Sequence, residues 1–103
     1  MDKEYIKLRN VIDKVLDEHP NDFVENGVIK VVVEYRTCEN VNGHELDLLA
    51  GYAMYYKDEE GFEELTPIDN DSYSFDDLVY KYEVRVIPEE DGDPAETYLA
   101  VWY

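Results

Sequence analysis

Apolar residues near the start of the chain recur at helical spacing. Leu8, Val11, Ile12, Val15 and Leu16, with Tyr5 one turn earlier, form a single stripe every three to four positions. The stripe predicts a helix over residues 3–18, with Asp2 as its cap, because an aspartate carboxylate accepts from the free amides of a first helical turn. Pro20 disfavours helical geometry at His19 and predicts the helix end there. His19 is then a last-turn residue interacting with the helix dipole.

After the turn signal Asn26-Gly27 the period changes to two. Ile29, Val31, Val33 and Tyr35 alternate with Lys30, Glu34 and Arg36, which predicts a half-buried strand over residues 28–37. A polar turn ending in Gly43 follows. Leu46, Leu48, Ala50, Tyr52, Met54 and Tyr56 then read as one face of a long second strand, in which Gly51 marks a bulge or a close backbone approach. Tyr80, Tyr82, Val84 and Val86 alternate with Lys81, Glu83 and Arg85 in a third strand. Leu99 and Val101 alternate with Tyr98, Ala100 and Trp102 in a fourth. The last two strands are joined by a connection carrying Asp91-Gly92, between Pro88 and Pro94.

These elements predict a single α+β domain, one N-terminal helix packed on a four-stranded antiparallel meander sheet. Ser74 and Asp77 are spaced as a capping box and predict a short helical turn between Phe75 and Leu78. Tyr55, Tyr98 and Trp102 are expected on the sheet face away from the strongest apolar stripes. The last strand of a meander is an edge, so a homodimer through that edge strand is expected as well.

Between the second and third strands the pattern is dominated by charge. Asp58, Glu59, Glu60, Glu63, Glu64, Asp69, Asp71, Asp76 and Asp77 are nine carboxylates in twenty residues, with no Lys, Arg or His among them. Phe62, Leu65, Ile68, Tyr73 and Phe75 are too many apolar residues for a free loop. They predict a segment anchored to the core with its carboxylates outward. Glu89, Glu90, Asp91 and Asp93 form a second acidic cluster in the last connection. In a meander the two clusters lie at opposite ends of the sheet.

The charge is unevenly distributed. Residues 1–36 carry a net charge of −2, and residues 37–103 carry the other −15 of a total of −17. That total exceeds the roughly 2–8 units that suffice to keep a small domain soluble. It repels nucleic acid and anionic membranes and steers the chain toward basic surfaces. The ten Tyr and three Phe argue against a chain disordered by its charge.

The single cysteine, Cys38, excludes an internal disulfide and fits a reducing compartment. The first residues have no apolar signal region, and no apolar run has the length of a membrane span. A cytoplasmic protein of a bacterial cell is expected, without cofactor. Asp69-Asn70-Asp71 begins like a calcium loop, but Tyr73, Ser74 and Tyr80 occupy its later ligand and glycine positions, so no metal site is expected. Cys38 and His44 lack the second ligand pair of a zinc site. Nucleophile-elbow, zinc-helix and phosphate-loop signatures are absent, and no enzyme is predicted.

Carboxylates on an extended chain rise about 3.3 Å per residue, close to the roughly 3.4 Å per nucleotide of one DNA strand. By size and composition the chain resembles the small acidic DNA-mimic proteins of phages and mobile elements, which include anti-restriction and anti-CRISPR inhibitors. The resemblance implies a non-enzymatic inhibitor. It would block the nucleic-acid channel of a basic nuclease, effector complex or other DNA-binding protein, and would not bind nucleic acid itself. The predicted contact residues are the nine acids of residues 58–77 together with Glu89, Glu90, Asp91 and Asp93. An immunity or regulatory protein for one basic toxin or enzyme, and a homodimeric domain acidic only for solubility, are the alternatives.

Overall fold

In the computed structural model, residues 4–58, 61–64 and 73–103 are described, at Asp58 and Gly61–Glu64 by the backbone alone. In chain order the elements are β1 (Ile6–Lys7), α1 (Leu8–Glu18), β2 (Val24–Glu25), β3 (Val28–Val41), β4 (His44–Asp58), β5 (Gly61–Glu64), β6 (Leu78–Val79), β7 (Lys81–Ile87) and β8 (Glu96–Trp102). The described part is therefore mixed, one helix against a strand-dominated body. Its helix is not long and apolar enough to cross a membrane.

The helix begins later than its apolar stripe predicts. Ile6 and Lys7 pair with Val79 and Leu78 as a short ladder instead of forming a first helical turn. Lys7 is the extended N-cap and gives no side-chain cap. Backbone replaces it: Leu8 N–H donates to Asp77 O at 2.8 Å and Arg9 N–H to Phe75 O at 3.0 Å, so two amides of the first turn are satisfied by a neighbouring turn. Asp2, the expected cap, lies outside the described residues. Leu8, Val11, Ile12 and Val15 are buried as the stripe requires, whereas Tyr5 is exposed. The C-terminal end falls at His19, whose N–H donates to Val15 O at 2.8 Å.

Three hairpins close on Asn26-Gly27, Asn42-Gly43 and Asp91-Gly92, and both residues of each pair have positive φ. Such turns match the twist of the strands they join, and Asn, Asp and Gly tolerate that backbone region best. Ser74 and Asp77 do form the reciprocal capping contacts. Asp76 N–H donates to Ser74 Oγ at 3.0 Å and Ser74 N–H to Asp77 Oδ2 at 2.8 Å. The result is a turn at Phe75 and Asp76, and Leu78 enters β6 where a helical turn was expected.

Strand order replaces the expected meander. The main sheet runs β5-β4-β3-β8-β7, with β2 paired to β3. The C-terminal strand is inserted beside β3 in parallel register, Val33 with Leu99 and Arg36 with Trp102, while its other side pairs antiparallel with β7. It is an interior strand, so the expected pairing of this strand with a second copy is overturned. Interior placement suits its composition, since Leu99, Ala100, Val101 and Trp102 are all buried.

A bulge corrects the reading of β4. Tyr35 pairs with Gly51 and Arg36 with Leu49, which leaves Ala50 as an extra residue beside Gly51. One extra residue reverses inside and outside for the rest of the strand. Leu46 and Leu48 therefore do not share a face with Tyr52, Met54 and Tyr56, and the buried positions of the second half are Ala53 and Tyr55. Tyr55, expected outside, is in the core.

The main core lies between α1 and one sheet face: Leu8, Val11, Ile12 and Val15 against Val31, Val33, Tyr35, Ala53, Tyr55, Leu99 and Val101. Trp102 is buried on the opposite face. Lys81 Nζ stands 4.2 Å from its ring centroid, and its Nε1–H donates to Asp47 Oδ1 at 3.1 Å. The ring is thus enclosed by a cation and a carboxylate as well as by apolar neighbours. Tyr98 is half-buried on this second face.

Candidate acidic interface

The parallel pairing of β3 with β8 decides where the acidic clusters sit. β4 runs antiparallel to β3, so its last residues, Lys57 and Asp58, lie beside the beginning of β3. β8 runs parallel to β3, so its first residue, Glu96, lies at that same end, paired with Ile87. The β7–β8 hairpin therefore projects from the sheet end that carries Asp58. The expected opposite poles are replaced by one acidic end. Three strand spacings of about 4.8 Å separate β4 from β7, so the end of β4 and the hairpin stand roughly 14 Å apart across the sheet.

At this end Glu89, Glu90, Asp91, Asp93 and Glu96 are all exposed, and no Lys, Arg or His occurs from Val86 to the last residue. Glu90 and Asp93 close the hairpin by backbone bonds in both directions, which fixes the loop without engaging the carboxylates. Across the sheet, Asp58 pairs with Gly61 and Tyr56 with Glu63, and Glu64 pairs with Tyr55. The acidic segment thus leaves β4 as a further strand along the sheet edge. Glu59, Glu60, Asp69 and Asp71 lie outside the described residues, as do the expected anchors Leu65 and Ile68.

Two acids missed by sequence reasoning join the same end, Asp22 and Glu25, at the β2–β3 hairpin. The Asn26-Gly27 turn was their signal, since it returns the chain beside the start of β3. Glu25 is partly neutralised by the ammonium of Lys30 at 2.7 Å, and Asp22 lies within hydrogen-bond distance, 2.9 Å, of His19 Nδ1. That contact gives His19 a loop partner beyond the helix end.

Asp76 and Asp77 are elsewhere. They adjoin the N-terminus of α1, whose C-terminus leads to the acidic end, and eleven residues of helix separate the two sites by about 16 Å. Asp76 is exposed, 3.7 Å from Lys7 Nζ. Asp77, expected to face outward, is half-buried. Its Oδ2 accepts from Ser74 N–H and, at 3.5 Å, from the buried Tyr35 hydroxyl. The end of the acidic segment is anchored as its apolar residues predict. Tyr73 stacks on Tyr35 with centroids 3.8 Å apart and donates its hydroxyl to Ala50 O at 2.9 Å, while Phe75 packs 4.4 Å from Tyr55.

Two further features lie on the second sheet face. Hydrogen bonds from the Cys38 thiol and then from the Trp102 indole hold the Asp47 carboxyl below the ordinary carboxylate range. Burial, reinforced by the contact with Cys38, pushes the Tyr80 phenol up to about 12. Nearer the acidic end, a cavity of about 610 Å³ is lined by Lys30, Glu34, Tyr52, Glu96 and Tyr98, among others. Glu34 is buried there between Arg36, at 2.8 Å, and Arg85, at 4.0 Å. Among the described residues, no group of three or more His, Cys, Asp or Glu is placed to hold a metal ion.

No protein-family model, curated protein or solved structure matches the chain. Among the described residues, carboxylates outnumber the cations Lys30 and Lys57 at this sheet end, and such a surface is suited to electrostatic recognition of a basic partner.

Proposed function

We propose that the protein is a non-enzymatic inhibitor that occupies the nucleic-acid channel of a basic protein, with the acidic sheet end standing in for phosphates. The observation that supports this reading is that the end of β4, with Asp58, and the acidic β7–β8 hairpin lie at one end of the sheet, imposed by the parallel β3–β8 pairing. A channel built from Lys and Arg to release counterions from DNA gains in the same way from a dense carboxylate surface. In this reading Asp58, Glu59, Glu60, Glu63 and Glu64 supply one set of phosphate substitutes, and Glu89, Glu90, Asp91, Asp93 and Glu96 supply the other. A nuclease or effector complex of the kind that anti-restriction and anti-CRISPR inhibitors block is the partner class. The work is done in the bacterial cytoplasm.

Immobilised protein incubated with bacterial lysate tests this, using a variant with Glu89 and Glu90 changed to Gln and Asp91 and Asp93 changed to Asn as the control. Mass spectrometry is expected to identify a nucleic-acid-binding protein that the variant captures poorly and that duplex DNA displaces. A partner retained equally by the variant, or indifferent to DNA, overturns the reading.

A further inference from the structure

Among the described residues, no strand pairs with β7 on the side away from β8, so Lys81–Ile87 is an open edge of the main sheet. Its outer end is apolar and uncovered, with Val86 61% and Ile87 48% exposed. An edge with free backbone donors and acceptors is a template for another strand. This one contains no proline, and its ladder with β8 runs without a register break.

Charge selects the occupant and the direction. Around Val84 the edge reads Lys81, Tyr82, Glu83, Val84, Arg85, Val86, Ile87. Glu83 and Arg85 already pair within each strand; if a second copy pairs antiparallel with Val84 opposite its own counterpart, Glu83 falls opposite Arg85 of the second copy and Arg85 opposite its Glu83, so the two intrastrand pairs join in one alternating row. Tyr82 then faces Val86, and Lys81 faces Ile87. Opposite charges directly across a ladder stabilise it, as do aromatic residues against β-branched ones. The same pairing sends the two acidic hairpins in opposite directions. They are then separated by at least one strand length, about 23 Å for seven residues, well beyond the roughly 8 Å over which charge acts at physiological salt. Parallel pairing would instead bring the two acidic ends together.

We infer that β7 is a homodimerisation edge, two copies joining antiparallel about Val84 into one continuous sheet with an acidic end at each extremity. The inference stands on the edge strand alone and does not depend on the nature of the basic partner. Pairing of this kind is opposed by the overall charge of each copy, so raising the salt strengthens it.

Sedimentation of the full chain between 0.02 and about 0.3 M NaCl is expected to show a dimer whose fraction rises with salt as the Debye length shortens. Register is tested by Val84→Cys and Val86→Cys, each in a Cys38→Ser background and checked for folding by circular dichroism. Only position 84 meets itself across the two-fold, within the Cα separation a disulfide needs. Val84→Cys is therefore expected to cross-link at least about tenfold faster than the more exposed Val86→Cys. A monomer at every salt concentration, or cross-linking that follows exposure and favours position 86, overturns the inference.

Discussion

Val33 and Leu99 are neighbours across a parallel ladder although 66 positions separate them in the chain. Both are fully buried, on the sheet face that carries α1. This pairing makes β8 an interior strand and turns the β7–β8 hairpin toward the sheet end where β4 finishes. The acidic end of the protein is a consequence of that topology.

Crowding carboxylates at one end costs stability through self-repulsion, and salt relieves it. The melting temperature is expected to rise with NaCl from 0.02 to about 0.5 M. Changing Glu89 and Glu90 to Gln with Asp91 and Asp93 to Asn should raise it at low salt and flatten the slope. Asn suits position 91, where φ is positive. A gain on the order of 1 kcal/mol is expected, or about 4–8 °C for a domain of this size. Thermal melts at both salts check this, and a variant no more stable than the parent would show that the hairpin acids do not repel.

Tyr73 ties the acidic segment to the core through its stack on Tyr35 and its bond to Ala50 O. Tyr73→Phe is expected to cost about 1 kcal/mol for the lost hydrogen bond. Tyr73→Ala should cost about 3–5 kcal/mol for the lost aromatic volume. Urea unfolding measures both. Equal costs would assign the anchoring to the hydroxyl and not to the ring.

The Asp47 carboxylate accepts from Cys38 and Trp102, and its pKa is held down in the folded state. A depressed folded pKa stabilises the protein above the unfolded value of about 3.9. That stabilisation is lost as pH falls through the folded value. Asp47→Asn keeps an oxygen acceptor but removes the charge. Its stability deficit should be full at pH 6 and should shrink as the pH drops below the carboxylate range. Because Trp102 is the single tryptophan, its fluorescence reports the unfolding directly. A deficit independent of pH would assign the loss to geometry.

Local pattern was enough for much of the fold. The stripe Leu8, Val11, Ile12, Val15 identified the buried face of α1, Pro20 its end, and the Asn-Gly and Asp-Gly pairs the three tight turns. The period of two in Val31, Val33 and Tyr35 identified the inner face of β3. The errors arose where a partner distant in sequence intervened. Ile6 and Lys7 were drawn from the helix by the ladder with Val79 and Leu78, and Asp77 was drawn inward by Ser74 and Tyr35. Ala50 is invisible as a bulge to alternation alone, although Gly51 flagged the place.

By itself the sequence determined the buried face and the end of α1, the strands β3, β4, β7 and β8, the three tight turns, and the excess of negative charge after Arg36, because these depend on side chains and backbone within a few residues of one another. Tertiary structure alone decided that β8 enters between β3 and β7, that the strand after Ala50 turns Tyr55 inward, and that Asp58 and the Glu89–Asp93 hairpin share one end. Strand order and register are set by which apolar faces can be buried together, and that depends on pairings across the whole chain.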